Sequence, residues 1–193
     1  VAQPQPALST EDAEQSFRAA AAQLAGCIRN YPGYNKKILR DEFAAAFDAY
    51  EQGTTPVFEQ LDRAVRAQED RRAALLDEAA ETMLNDLESA WQSDPKWKSK
   101  SGRTAVRDDD KVILAIFFVP ALRKQALSIS EDLSTRIHEK WMARHPDSPF
   151  YLGDYETLMG GFRKKFLGLC FITTAVCEAQ GLPDDCAELT AFR

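Results

Sequence analysis

The sequence predicts an all-α fold, a single domain of about six or seven helices. Apolar residues recur at steps of three and four along most of the chain, which is the spacing of one buried helical face. The stretch 57–91 keeps this spacing without a glycine or a proline. A chain of 193 residues, 45% hydrophobic and 28% charged, is long enough for a buried core and has the composition of a globular protein.

Charge and hydropathy narrow the classes of function. The net charge of −6 and the isoelectric point near 5.1 favour solubility and argue against nucleic acid as a partner of the whole domain. The longest apolar run, VILAIFFVPAL at 112–122, is much shorter than the roughly 20 residues that span a bilayer, so it predicts a core helix and no membrane span. Four cysteines are too few for a disulfide scaffold, which favours a reduced, cytoplasmic protein.

The chain begins with a predicted flexible tail, 1–8, followed by the helical domain, 9–193. Ser9 and Thr10 are candidate N-caps of the first helix. Its buried stripe comprises Ala13, Phe17, Ala20, Leu24, Cys27 and Ile28. The turn 31–35 ends this helix, and a second helix is predicted over 37–52, ending at Gly53.

A long third helix is predicted near 56–91. Thr55 is its candidate N-cap and Pro56 its first residue, a position that proline favours. At about 1.5 Å per residue this helix would be roughly 50 Å long and would pack against the apolar 112–122 helix. A break near 69–72, where the stripe is interrupted by charged residues, is the alternative.

The segment 92–108 is predicted to be a basic loop. Its candidate contact residues for an anion or a nucleic acid are Lys96, Trp97, Lys98, Lys100 and Arg103, since cations beside an aromatic ring can hold phosphate and stack on a base. A solvated connection is the favoured interpretation, because three aspartates, 108–110, follow at once and would begin the fourth helix.

The remaining helices are marked by capping residues and prolines. Pro120 is expected to kink or shorten the fourth helix. Ser128 and Ser130 are candidate caps for a helix that ends before Pro146, and Asp154 for a helix that follows the loop 147–153. A last short helix is predicted to begin near Pro183.

Three cysteines, Cys170, Cys177 and Cys186, lie close together near the C-terminus. If the segment is helical, Cys170 and Cys177 are about 10.5 Å apart along the axis, too far for a disulfide, which needs Cα atoms within about 7 Å; a strand would place them on opposite faces. Core packing, a disulfide to Cys186, and a functional thiol or metal site remain open. The spacing lacks the C-x2-C pairs of zinc sites, so no cofactor is predicted and zinc is only an alternative.

The two histidines do not complete a metal motif. His138 and Glu139 begin an H-E-x-x-H pattern, but the position of its second histidine is occupied by Met142. His145 is expected near a helix C-terminus, where a positive charge is favourable.

The residues 170–175, Cys-Phe-Ile-Thr-Thr-Ala, carry a family resemblance. Together with Cys177, Gly181 and the Pro183-Asp-Asp-Cys sequence, they resemble the C-terminal CFI box of many bacterial proteins, in the form seen in Firmicutes. The segment 168–193 is therefore interpreted as a CFI-box segment. The resemblance implies an intracellular bacterial origin and singles out Cys170, without giving it a role.

The sequence favours a non-enzymatic helical binding or interaction module. Helical stripes are plentiful, whereas no complete catalytic set is found. The expected partner is another protein, or other domains of a longer chain, and the oligomeric state is left open. The alternative is a thiol-dependent redox or metal-linked protein that uses the C-terminal cysteines.

Overall fold

The computed structural model describes residues 9–37 and 40–163, and over these ranges the all-α prediction is confirmed. The α-helices are α1 (Thr10–Ala21), α2 (Gly26–Arg29), α3 (Arg40–Arg66), α4 (Arg72–Ser93), α5 (Lys100–Ile113), α6 (Val119–Lys124), α7 (Ser130–Arg144) and α8 (Tyr155–Arg163). Three 3-10 turns (Tyr34–Lys36, Glu69–Arg71 and Pro95–Lys98) and one π-helical turn (Leu114–Phe118) connect or extend them. The predicted tail 1–8 lies outside the described residues.

The first helix begins as its sequence predicts but ends at Ala21, before the predicted turn 31–35; residues 22–25 form turns and a separate helix, α2, begins at Gly26. The Ser9 hydroxyl accepts a hydrogen bond from the Asp12 amide at 3.2 Å, and every residue of the predicted apolar stripe is buried. The stripe packs α1 against α3 and extends into α2, where the buried Tyr50 hydroxyl donates to the Cys27 carbonyl at 2.7 Å. The turn that follows contains Gly33 at a φ of 81°, a conformation that favours glycine.

The predicted helix end at Gly53 and the predicted start at Thr55 and Pro56 are wrong, because α3 runs through all three residues. Gly53 serves close packing: a β-carbon there would lie 2.2 Å from the Tyr31 hydroxyl oxygen. The Thr55 hydroxyl donates to the Glu51 carbonyl at 2.7 Å one turn back, so this side chain supports the helix interior instead of capping a new one.

The single long helix over 56–91 is also wrong, and the alternative break is confirmed. α3 ends at Arg66, a 3-10 turn covers Glu69–Arg71, and α4 begins at Arg72. The buried Gln68 holds the turn: its amide nitrogen donates to the Ala64 carbonyl at 3.3 Å, and its amide oxygen accepts from Arg71 at 3.0 Å.

The segment predicted as a basic loop is mostly helical. Residues Pro95–Lys98 form a 3-10 turn and α5 begins at Lys100, well before the three aspartates that were expected to start it. The helical path continues through the π-turn into α6, where Pro120 lies in the first turn. Because proline has no N–H and crowds the carbonyl four residues back, the wider π-turn before it lets the chain stay helical instead of ending.

The apolar 112–122 run lies in the core, as predicted, and its helices contact both α3 and α4.

The ends of the last two helices match the sequence in part. α7 ends before Pro146, as expected, and Asp154 caps α8 by accepting from the Thr157 amide at 2.7 Å. Neither predicted serine caps α7. The buried Asp62 carboxylate instead accepts from the Ile129 amide at 3.2 Å. Among the described helices, none combines the length and the apolar character needed to cross a membrane.

Candidate functional site

The predicted functional thiols Cys170, Cys177 and Cys186 lie outside the described residues, as does the whole CFI-box segment. The fourth cysteine, Cys27, is buried on α2, and burial raises the pKa of its thiol to about 12. A thiol with this pKa is almost entirely protonated at neutral pH and is a poor nucleophile. Cys27 therefore offers no support for thiol chemistry, and that hypothesis remains a prediction about the C-terminal cysteines.

Metal-ligating side chains do not converge within 9–37 and 40–163, where no group of three or more His, Cys, Asp or Glu residues could hold a metal ion. His138, which begins the incomplete zinc motif, instead has its Nε2 atom 2.9 Å from the Phe150 carbonyl oxygen and its ring edge-on to the Phe150 ring.

The predicted contact residues Lys96, Trp97, Lys98, Lys100 and Arg103 are brought together at the junction of the 3-10 turn and α5. We call the four cations of this set, Lys96, Lys98, Lys100 and Arg103, the basic ridge. All four are exposed, whereas Trp97 is half-buried beneath them.

Trp97 anchors the ridge to the core. Its ring stacks on the buried ring of Trp91, with the centroids 6.0 Å apart and an interplanar angle of 25°. Its carbonyl oxygen accepts a hydrogen bond from the Arg103 guanidinium at 3.3 Å, which ties the 3-10 turn to the first turn of α5. The aromatic ring thus serves mainly to fix the ridge, because one of its faces is occupied by Trp91.

Two short polar side chains cap the turns that present the ridge. The Asp94 carboxylate accepts from the Lys96 amide at 2.8 Å, and the Ser99 hydroxyl accepts from the Gly102 amide at 3.0 Å. Gly102 allows the 3-10 turn to lie close against α5, since a β-carbon at this position would lie 1.9 Å from the Lys96 carbonyl oxygen. These contacts give the ridge a defined backbone, unlike the solvated loop that the sequence predicts.

The ridge carries positive charge that nearby carboxylates leave uncompensated. Within the described residues, none of its four cations forms an ion pair, although the chain as a whole has a net charge of −6. The next cation along α5 differs: Arg107 makes two hydrogen bonds, at 3.0 and 2.9 Å, to the Asp147 carboxylate. The ridge is therefore a local positive field on an acidic protein, available to an external anion.

A buried carboxylate lies behind the ridge, and the sequence reasoning missed its role. Asp110 accepts from the Trp91 indole N–H at 2.7 Å and from the Arg29 guanidinium at 2.8 Å, so it links α2, α4 and α5. The three aspartates were interpreted as a helix start. The sequence does contain a signal that Asp110 is buried. Asp110 stands four residues after Val106 and three before Ile113, on the same helical face, and all three residues are buried in α5.

His145 also contacts Trp91 and lies, as predicted, at the C-terminal end of a helix, α7. Its ring packs edge-on against Trp91 and Trp141, and its Nε2 atom is 3.2 Å from a Glu88 carboxylate oxygen. Burial lowers the pKa of this imidazole and outweighs the opposing effect of Glu88. The positive charge expected from the helix end is thus disfavoured by the packing of the two indoles.

No family model, curated protein or solved structure matches this chain significantly. The geometry of the chain itself therefore carries the functional argument.

Proposed function

We propose that this protein is a non-enzymatic helical interaction module and that the basic ridge is its contact surface for an anionic macromolecular partner. The observation that carries the proposal is the uncompensated charge of Lys96, Lys98, Lys100 and Arg103 on a turn fixed by Trp97, Ser99 and Gly102. A fixed turn supports binding because less conformational entropy is lost when the partner docks.

The distribution of ion pairs also supports the proposal. Several half-buried cations elsewhere pair with carboxylates across helices: Arg136 and Lys140 of α7 contact Asp77 of α4, and Arg144 contacts Glu81 and Glu88. Within the described residues the exposed Lys36 and Arg63 also form no ion pair, but they lie on different elements. The four ridge cations lie together without carboxylate partners, which makes a surface suited to an external anion.

Site-directed photo-crosslinking tests the proposal. A benzophenone amino acid replaces Ser101, an exposed residue between the ridge cations, and in a matched control it replaces Glu59, an exposed residue of α3. Each protein is irradiated in an extract of the cells that naturally produce it. We expect a discrete high-mass adduct from the Ser101 position only, which is lost when Lys98 and Lys100 are both changed to Glu and which weakens at high salt.

An absence of adducts from the Ser101 position, or equal adducts from both positions, would overturn the proposed contact surface. Nuclease and protease digestion of the adduct then identifies the class of the partner without prejudging it.

A further inference from the structure

The form of the basic ridge also indicates which anion it fits. Resting on the proposed function, we propose that the ridge binds a short acidic segment of a partner polypeptide, with Asp and Glu carboxylates pairing with its lysines. The inference deepens the proposed function, because that function requires only an anionic partner of some kind.

The compactness of the ridge limits the length of its ligand. The chain is extended at Ser99, and the 3-10 turn folds back onto the first turn of α5, where the Lys96 carbonyl lies against Gly102 and the Trp97 carbonyl accepts from Arg103. The four cations therefore form a compact group that a short peptide segment can cover. Negative charge bounds the ridge on both sides along the chain. Asp94 precedes it, and the exposed Asp109 follows Arg103 by about 9 Å along α5. A longer anionic chain running along α5 would meet like charge, whereas a short acidic run would not.

The donors of the ridge suit separate carboxylates. Three of its four cations are lysines, whose compact ammonium groups each pair with a single acceptor without a fixed bidentate geometry. The fourth, Arg103, already donates from one guanidinium nitrogen to the Trp97 carbonyl. A flexible row of carboxylates can adapt to such donors one side chain at a time.

The position of Trp97 argues against a single-stranded nucleic acid as the ligand. Proteins that bind single strands stack successive bases on exposed aromatic rings along a positively charged groove. Here the ring is half-buried and stacked on Trp91. The net charge of −6 adds long-range repulsion of a phosphate backbone, which a short acidic segment experiences less because it carries fewer charges.

Fluorescence anisotropy with defined probes tests the inference on the full chain. The first probe is a labelled peptide with five consecutive Glu and Asp residues. The second has the same composition with its acids separated by Gly-Ser pairs, and the third is a twelve-nucleotide oligothymidylate. The variant is Lys98→Glu/Lys100→Glu. Its control, Lys36→Glu/Arg63→Glu, makes the same change in net charge at exposed positions outside the ridge.

We expect saturable binding of the consecutive acidic peptide at 50 mM salt, roughly tenfold weaker in the ridge variant and within about twofold of wild type in the control. The spaced peptide should bind several-fold more weakly. Circular dichroism of each variant checks that the fold is retained.

Equal weakening by both double variants, or no saturable binding of the consecutive peptide, would overturn the inference. Tighter binding of the oligothymidylate than of the peptide would overturn it in favour of nucleic acid. In each case a Ser101 crosslink to an anionic partner could still form, so the failure of this inference is distinguishable from failure of the proposed function.

Discussion

At the scale of single residues, the ridge depends on close contacts between backbone and small side chains. Gly102 permits the Lys96 carbonyl to approach the first turn of α5. The Ser99 hydroxyl accepts a hydrogen bond from the Gly102 amide, which would otherwise lack an acceptor at the start of the helix. The charges of the ridge are therefore presented by residues that carry no charge themselves.

Gly102→Ala should destabilise the protein. The new methyl group would overlap the Lys96 carbonyl oxygen, so the 3-10 turn must move, at a cost of about 1–3 kcal/mol in the free energy of unfolding. Urea denaturation measures this. The matched control is Gly160→Ala in α8, where a β-carbon has open space and alanine should stabilise the helix by up to about 1 kcal/mol. Unchanged stability in Gly102→Ala would contradict the close approach.

At the scale of helices, the sequence predicts the elements better than their boundaries. The stripe of α1 is recognisable because its buried residues follow a helical period, and the 112–122 run is recognisable because it is almost continuously apolar and buried. The misassigned boundaries have tertiary causes. Gly53 and Pro56 look like a helix end, but Gly53 accommodates Tyr31, a contact between residues distant in sequence.

The backbone of the ridge is also set by tertiary contacts that the sequence pattern does not reveal. Its cations and Trp97 could be identified from composition, but the 3-10 turn and the early start of α5 could not. They depend on the stacking of Trp97 on Trp91 and on the approach of Gly102 to the Lys96 carbonyl, and neither contact leaves a periodic signal. The C-terminal cysteines, which the sequence singles out first, lie outside the described residues.

Asp110→Ala should weaken the junction of α2, α4 and α5. It removes the acceptor of the Trp91 indole N–H and the partner of Arg29, so we expect a loss of about 3 kcal/mol in unfolding free energy. The adjacent Asp109→Ala is the matched control. Asp109 is exposed and, within the described part of the chain, accepts from Asn35, so its loss should cost less than about 1 kcal/mol. Similar losses in both variants, by urea denaturation, would contradict a structural role specific to Asp110.

At the scale of the whole molecule, side chains from the Pro95–Lys98 turn, α5 and α7 meet around Trp91 of α4. Trp97 stacks on one side of this ring, Trp141 and His145 pack edge-on against it, and Asp110 accepts its N–H. The ridge is thereby tied to α4, α5 and α7, so the stability of the whole core supports the surface that is proposed to bind.

The stability of the protein should fall as the pH drops below about 7. Burial lowers the pKa of His145, so the unfolded chain takes up its proton first, near pH 6.5, and protonation favours unfolding until the folded-state pKa is reached. For one proton the slope cannot exceed about 1.4 kcal/mol per pH unit. Urea denaturation between pH 7.5 and 5.5 measures it, and His145→Gln should flatten the dependence. A slope that persists in His145→Gln would assign it to another group.

The central claim is that the basic ridge is a contact surface, and lysine footprinting tests it most directly. A brief pulse of an acetylating reagent is applied to the purified protein and to the protein in an extract of the cells that naturally produce it, and mass spectrometry compares the labelling of each lysine. Lys96, Lys98 and Lys100 should be labelled several-fold less in the extract, whereas Lys36, exposed and outside the ridge, should be labelled equally in both. Equal labelling of the ridge lysines in the two samples would contradict the account.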